Sequence, residues 1–596
     1  MTMRMENEHA DQRPEEPMTI WGAMTALRRH TRVRKSILTP ESETAPLLGN
    51  ARAHEGQRHG GSEETSWEGH GDFAGLTWWH KPSVYWLLFP FFLLALAVGG
   101  IIVPKLNLIL ALVCRSYLAE RSSQDPNFLF APVLLGSDNP QCRIPEVQSL
   151  VTKFMLAITV ITGIISAIMS PVLGAWSDRH GRKKILVISS IGSFLTEIVT
   201  ILAGKYPDVV SYKWLLAGAV FDGLCGSFIA GMALTHAYAA DCTAPPKRAV
   251  AFAYFHACLF SGIAFGPLLA AALLRLTDSL LTVFYVALGI HTFFILFLLL
   301  VVPESLTQKR QEIAREKHAA EALLTANQTW LGKLTRKNPL ATLKVLWPTG
   351  NGNTKHVRAN LVLLATVDTI IFGVAMGVMT VIIYYSGYQF GWKTSETSLY
   401  MSVVNSTRVF TLVVILPIFN YLVRTIPRRR QRRESGLVIP ENHYGADSTD
   451  LIVIRLSILF EIIGYLGFTV ARSGPLFVVS GIMASMGGVG SPTLQSALTK
   501  HVPHDQIGQL LGATGLLHAL ARVVCPTIFN LIYAQTVGTY PQTVFLVLTA
   551  CFVLGFTFSW FIRPNVSLEL QAPKRPSSPE IMDSVDVRND EQVVGV

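Results

Sequence analysis

The chain has 596 residues, of which half are hydrophobic and only 15% are charged. A soluble chain carries about 25% charged residues, so an ordinary soluble fold is excluded. The net charge of +10 could signal nucleic acid, but the bases gather in loops between apolar runs, which is the pattern of membrane orientation and not of a nucleic-acid surface.

Residues 1–80 are polar, mixed in charge and without apolar period, which predicts a disordered cytosolic tail. The first long apolar run begins only near Tyr85, so no signal peptide is expected. Within the tail, Glu43, Leu47 and Leu48 fit the acidic dileucine pattern E-x-x-x-L-L. That pattern resembles signals read by sorting adaptors that direct membrane proteins to vacuoles or lysosomes. It favours such a membrane over the plasma membrane.

From there, continuous apolar runs of 18 or more residues follow one another, which predicts membrane-spanning helices rather than the short alternating strands of a barrel. Helix 1 is expected at about 84–112 and contains Pro104, Lys105 and Asn107, polar positions with no easy place in lipid. A lumenal loop follows, and helix 2 covers about 150–173. Cys114 and Cys142 would lie at the lumenal end, where an oxidising compartment permits a disulfide. Helices 3 to 6 are expected at about 185–204, 213–239, 249–274 and 281–302. The polar stretch 304–358 is the natural linker, with a surface helix near its start. Helices 7 to 12 follow at about 359–386, 397–422, 451–471, 475–498, 509–534 and 542–562. Six arginines between Arg424 and Arg433 mark another cytoplasmic loop. Residues 564–596 form a second polar tail. The sequons at Asn327, Asn405 and Asn565 fall in the cytosol or within helix 8, so none should be glycosylated.

The fold class is therefore an all-α membrane protein of twelve transmembrane helices with both termini cytosolic. The expected divisions are 1–80, an N-terminal six-helix bundle 81–303, the linker 304–358, a C-terminal bundle 359–563 and the tail 564–596. An internal repeat supports two pseudo-symmetric halves: Ser193 and Glu197 stand one turn apart in helix 3, as Ser457 and Glu461 do in helix 9.

The most informative stretch joins helices 2 and 3. Gly174, Asp178, Arg179, Gly181, Arg182, Lys183 and Lys184 form the pattern G-x-x-x-D-R-x-G-R-K/R. This loop resembles that of the major facilitator superfamily of transporters. Helix 6 closes on Pro303-Glu304-Ser305, as in that superfamily. Ala240-Asp241, Arg248 and the helix 5 pattern of Gly262, Gly266 and Pro267 resemble the branch holding bacterial tetracycline exporters and animal folate and haem carriers. The run from Pro104 to Leu110 is similar to a fungal subgroup. The resemblance implies a gate: Asp178 would meet the start of helix 11 near Gly508, and Arg182 would reach Asp241. The match departs from the antiporter signature, whose last two glycines are here Ala270 and Ala271. That departure weakens the case for antiport.

A charge at the bilayer centre costs about 2.5 to 3.5 kcal/mol on insertion scales, so each one needs a reason. Asp222, Asp368, Arg408, His518 and Arg522 are the candidates for a transport cavity and proton coupling. A buried carboxyl can load and release a proton near neutral pH, and the arginines would attract an anionic group or hold a carboxylate ionised. Buried salt bridges that fix packing are the competing reading. Glu197 and Glu461 are expected to be structural, because helices 3 and 9 are peripheral in the superfamily. His236, His256 and His291 are expected to be packing residues. No nucleophile–base pair, metal-ligand spacing or phosphate loop appears, so neither an enzyme nor a cofactor or metal is expected. The expected partners are a small organic solute, protons and the bilayer. The favoured function is proton-coupled secondary transport by alternating access. The rivals are an uncoupled facilitator or symporter of the same fold and a non-transporting receptor or scaffold.

Overall fold

A computed structural model describes residues 73, 75–125, 131–133, 135, 139–142, 144–323, 339–348, 354–392, 394–427, 430, 434 and 445–566. The sorting pattern Glu43, Leu47 and Leu48, the sequon at Asn327 and most of both tails lie outside the described residues.

Among the described residues, twelve helices are long and apolar enough to cross a membrane. They are α1 Val84–Gln124, α2 Pro145–His180, α3 Arg182–Lys205, α4 Tyr212–Cys242, α5 Pro245–Thr277, α6 Leu280–Leu300, α7 Lys355–Phe390, α8 Glu396–Thr425, α9 Ser448–Val470, α10 Gly474–Thr499, α11 His504–Thr536 and α12 Thr543–Trp560. A further helix, Gln308–Leu323, occupies the start of the linker. Helices suit this environment because they satisfy every backbone donor and acceptor internally.

The ends of the helices are written locally. Ser83 and Thr354 accept from the backbone N–H groups of Tyr85 and Val357, capping α1 and α7. Asp447 and Asp450 form a reciprocal capping box at the start of α9. Between α2 and α3 the turn passes through Gly181 at φ +96°, a conformation that side chains resist. The helix breaks also have causes. α4 is interrupted where Gly226 and Ser227 take positive φ. α8 widens into π-helical turns at Thr411–Ile415 and Tyr421–Thr425. The first of these includes Val413, whose carbonyl the ring of Pro417 displaces.

α1 extends well past its expected end near 112. The apolar run stops there, but Leu118, Ala119 and Glu120 are good helix formers and carry the helix on. Its 41 residues amount to about 60 Å, twice the hydrocarbon thickness, so its end projects beyond the bilayer. Cys114 and Cys142 are joined there by a disulfide.

Small residues set the tightest packing. The backbones of α1 and α5 touch through Gly99 against Gly262 and Gly100 against Gly266, where a Cβ on Gly99, Gly262 or Gly266 would collide with the facing main chain. This gives the helix 5 glycines a packing role, with Pro267 one residue beyond them inside α5.

Candidate functional site

Two regions bring candidate residues together. The first lies at the end of the helices that carries the charged turn, called here the charged end. Asp178 terminates α2 and is nearly fully buried. Its carboxylate accepts from the backbone N–H of Gly508 at 3.0 Å and of Gln509 at 2.7 Å, at the start of α11. Those donors are unpaired within their own helix and carry its positive dipole end. Arg182, with no exposed side-chain surface, lies 2.5 Å from Asp178 and 2.9 Å from Asp241. The three side chains thus tie α2, α3, α4 and α11 together. Close approach is permitted by Gly174, which meets the backbone of Gly508 and Gly512. The Arg179 Nε donates back to the Ala175 carbonyl, and the Lys183 backbone N–H donates to Glu304.

Three further contacts of this end go beyond what the motifs implied. Glu304 accepts from the backbone N–H groups of Arg182 and Lys183 and so caps α3. Burial pushes its carboxyl pKa above the ordinary value, against the opposing pull of those N–H groups and of Arg182. Arg248 on α5 donates toward the Thr499 carbonyl at 3.4 Å and stands 3.2 Å from His504. Arg424 on α8 pairs with Asp450 at 2.6 Å and Asp447 at 3.3 Å, and donates to the Pro246 carbonyl at 2.6 Å. Lys500 completes that cluster, 2.5 Å from Asp450. The only sequence signal for it was the Asp447-x-x-Asp450 spacing.

The second region is a cavity of about 180 Å³ between α4, α5 and the helices α7 to α12. Its walls are mostly apolar, with aromatic and methionine side chains that include Phe228, Met232, Phe260, Met376 and Tyr400. Its polar groups are few, as in most small-molecule sites, and include His236, His256, Asn405, Arg408, Glu461, Ser491, Gln495, Thr514 and His518. A short chain links several of them. Gln495 donates to the Ser491 hydroxyl, Ser491 donates to Asp368 at 2.8 Å, and Asp368 lies 3.0 Å from His518. Phe372 stacks on the His518 ring at 4.2 Å. Arg408 sits over the Phe260 ring and is 3.6 Å from Glu461, a looser pair.

Glu461 therefore differs from its expected peripheral place. The backbone at Gly487 and Gly488 carries no side chains to fill the space between α9 and the cavity, so the carboxylate reaches it. Glu197 instead lies 3.0 Å from His291, both buried, between α3 and α6. Asp222 is not among the residues lining this cavity. Its two oxygens accept from Ser193 at 2.9 Å and Ser227 at 2.7 Å, which holds the break in α4. Arg522 makes no ion pair with the described residues and stands one turn from His518 on α11. The buried ring of His236 stacks on Phe252 and His256.

Comparison with known proteins places this geometry in context. A family model described as Major Facilitator Superfamily matches residues 145–438. The chain is 34% identical over 512 residues to "MFS-type transporter avaJ" of Aspergillus versicolor, covering 85% of this chain and 94% of the relative. It is 22% identical over 403 residues to the proton-coupled folate transporter of Rattus norvegicus, covering 68% and 77% of the two chains. Among solved structures, the human organic anion transporter MFSD10 (TETRAN) superposes with a TM-score of 0.58 at 17% identity, covering 80% of this chain and 98% of that one, a likeness of fold alone.

Proposed function

The chain belongs to the major facilitator superfamily, a family of membrane transporters, and from that premise we propose that it moves a small organic solute by proton-coupled alternating access. The observation that carries this reading is the Asp368–His518 pair beside the cavity. A carboxylate and an imidazole at 3.0 Å, in a site walled by apolar side chains, form a unit that can gain or lose one proton as the cavity changes its exposure. Ser491 and Gln495 connect that unit to the cavity surface. The proton-coupled folate transporter among the relatives is in keeping with coupling.

The halves 81–303 and 359–563 act as the rocking bodies, with the charged end facing the cytosol. Several hydrogen bonds between the halves lie at that end, from Asp178, Arg248 and Arg424. They support a gate that is closed toward the cytosol here and must break for release on that side. Asp222 and Arg522 lie outside the cavity lining. The N-terminal dileucine pattern directs the protein to a vacuole-like membrane, a proposal that Leu47→Ala with Leu48→Ala tests by a change of location.

The test is proton movement in sealed proteoliposomes holding the purified full chain, screened against a broad solute panel, with Asp368→Asn as comparison. Solute-dependent pH change in the wild type, lost in the variant while solute binding persists, is the expected result. Solute flux with no proton movement would refute coupling. Absence of any flux from correctly folded protein would refute transport itself.

A further inference from the structure

The cavity wall holds an ion pair that stops short of contact. Among the described residues that line the cavity, Arg408 on α8 is the one arginine or lysine and Glu461 on α9 the one acid. The Arg408 Nη2 stands 3.6 Å from the Glu461 carboxylate, outside hydrogen-bond reach. The guanidinium carbon lies 4.8 Å from the centre of the Phe260 ring on α5, a cation–π contact. The Arg408 Nε is buried and donates to no described residue. Arg408 and Glu461 belong to the C-terminal half and Phe260 to the N-terminal half, so the guanidinium stands at the seam between them.

Other arginines show what a structural pair looks like in this protein. Arg182 reaches Asp241 at 2.9 Å and also donates to the Ser177 hydroxyl. Arg424 reaches Asp450 at 2.6 Å and also donates to the Pro246 carbonyl. Close contact and further hydrogen bonds are what offset the desolvation of a buried pair. Arg408 and Glu461 have neither, yet the fold makes room for both. A Cβ on Gly487 would collide with the Glu461 stem, and one on Gly488 would lie 2.7 Å from the Arg408 Cγ. Two successive glycines in the tight turn that interrupts α10 thus seat the two side chains. The arginine is held by its stem and by its stacked face, which leaves its N–H donors open to an acceptor that enters the cavity. A guanidinium presents those donors as a planar fork that fits the two oxygens of a carboxylate. One arginine and no lysine on the wall suit a single negative charge better than the double charge of a phosphate. The apolar walls, with their aromatic and methionine side chains, suit an apolar body.

We propose that Arg408 binds the carboxylate of the transported solute and that Glu461 is the resident counter-ion which the solute displaces, so that the substrate is a monocarboxylate with an apolar or aromatic body. This rests on the transport reading above and narrows its substrate class. Glu461 balances the arginine while the cavity is empty and competes with the solute for it. Neutralising Glu461 therefore favours binding, whereas a pair that only held the helices together would lose the site with either partner.

The experiment uses the purified full-length protein in detergent and four probes, namely benzoate, 2-naphthoate, indole-3-acetate and decanoate, each beside its methyl ester. Binding is read as ligand-dependent thermal stabilisation in the wild type, Arg408→Gln and Glu461→Gln. At least one acid is expected to stabilise the wild type where its ester does not. Arg408→Gln should weaken that binding about tenfold or more, and Glu461→Gln should tighten it about threefold or more. Esters that bind as well as acids, an Arg408→Gln variant that binds the acid unchanged, a Glu461→Gln variant that loses binding as Arg408→Gln does, or no acid binding at all would each overturn the proposal. Unliganded melting temperatures show whether the variants fold. If Arg408→Gln does not fold, the acid–ester comparison and the sign of the Glu461→Gln effect decide. Flux of a neutral or cationic solute in proteoliposomes, unchanged in Arg408→Gln, would overturn the carboxylate site and leave transport standing. Absence of flux for every solute, with acid binding intact, is the separate failure of the transport reading.

Discussion

Replacing Asp178 by Asn isolates the contact on which closure of the charged end turns. Two effects of the change must be kept apart. The ion pair between Asp178 and Arg182 lies wholly within one half, so it persists whether the halves are together or apart. The bonds from Gly508 and Gln509 cross between the halves and exist only when that end is closed. Asparagine keeps one acceptor oxygen but loses the charge, which removes about one charge-assisted hydrogen bond and the attraction to the start of α11. Such a bond contributes about 1.5–3 kcal/mol, and a charge at a helix start about 0.3–1 kcal/mol. Asp178 is rehydrated in the open state, which offsets part of this, leaving about 2 kcal/mol. The open-to-closed ratio should therefore rise about thirtyfold. Spin labels at His180→Cys and Ser448→Cys, both exposed and one on each half, report that ratio as a distance distribution. A change of less than about threefold would refute the assignment of the closed end to these two bonds.

Arg424→Ala strips Asp450 of one of its two cations and removes the bond to the Pro246 carbonyl, so thermal unfolding in detergent should show a loss of about 2 kcal/mol. Lysine at that position should restore less than half, since an ammonium cannot serve the acid and the carbonyl in one plane. Glu304 binds its proton more tightly in the fold than in the unfolded chain, because burial raises its pKa from 4.5. Its contribution to stability is thus complete below that value and falls as pH rises through the raised one. Glu304→Gln cannot titrate, so the difference in melting temperature between wild type and variant should vary across that interval and be flat well above it. Cys114→Ser with Cys142→Ser opens a loop set by a separation of 28 residues and should cost about 3 kcal/mol, read as a lower melting temperature that reductant no longer changes.

The spans were legible because a bilayer demands long apolar runs, and little else satisfies that demand. The charged turn was legible because its glycines and charges must sit in fixed register to reach α11 and Asp241. The cavity was harder to read. Glu461 looked like a peripheral acid because a linear sequence shows its own helix and not the bare backbone at Gly487 and Gly488 that opens a path to the interior. Asp222 drew attention as a lone acid, yet two serines, one of them 29 residues away, take its oxygens. The Arg424 cluster draws on α8, α9 and the residue after α10, an assembly that no local spacing encodes beyond the capping box.

Several of the hydrogen bonds that close the charged end share one property: one partner is a main-chain atom. Asp178 takes amide protons from Gly508 and Gln509, Arg424 reaches the Pro246 carbonyl, and Arg248 reaches toward that of Thr499. Side-chain changes at Gln509 or Thr499 cannot delete an amide or a carbonyl. The mutational target is therefore one-sided, falling on three reaching side chains while their partners remain free to drift. Paralogues with unlike α11 sequences could preserve the same latch, and pairwise covariation across this seam should be weak even though the seam is tight.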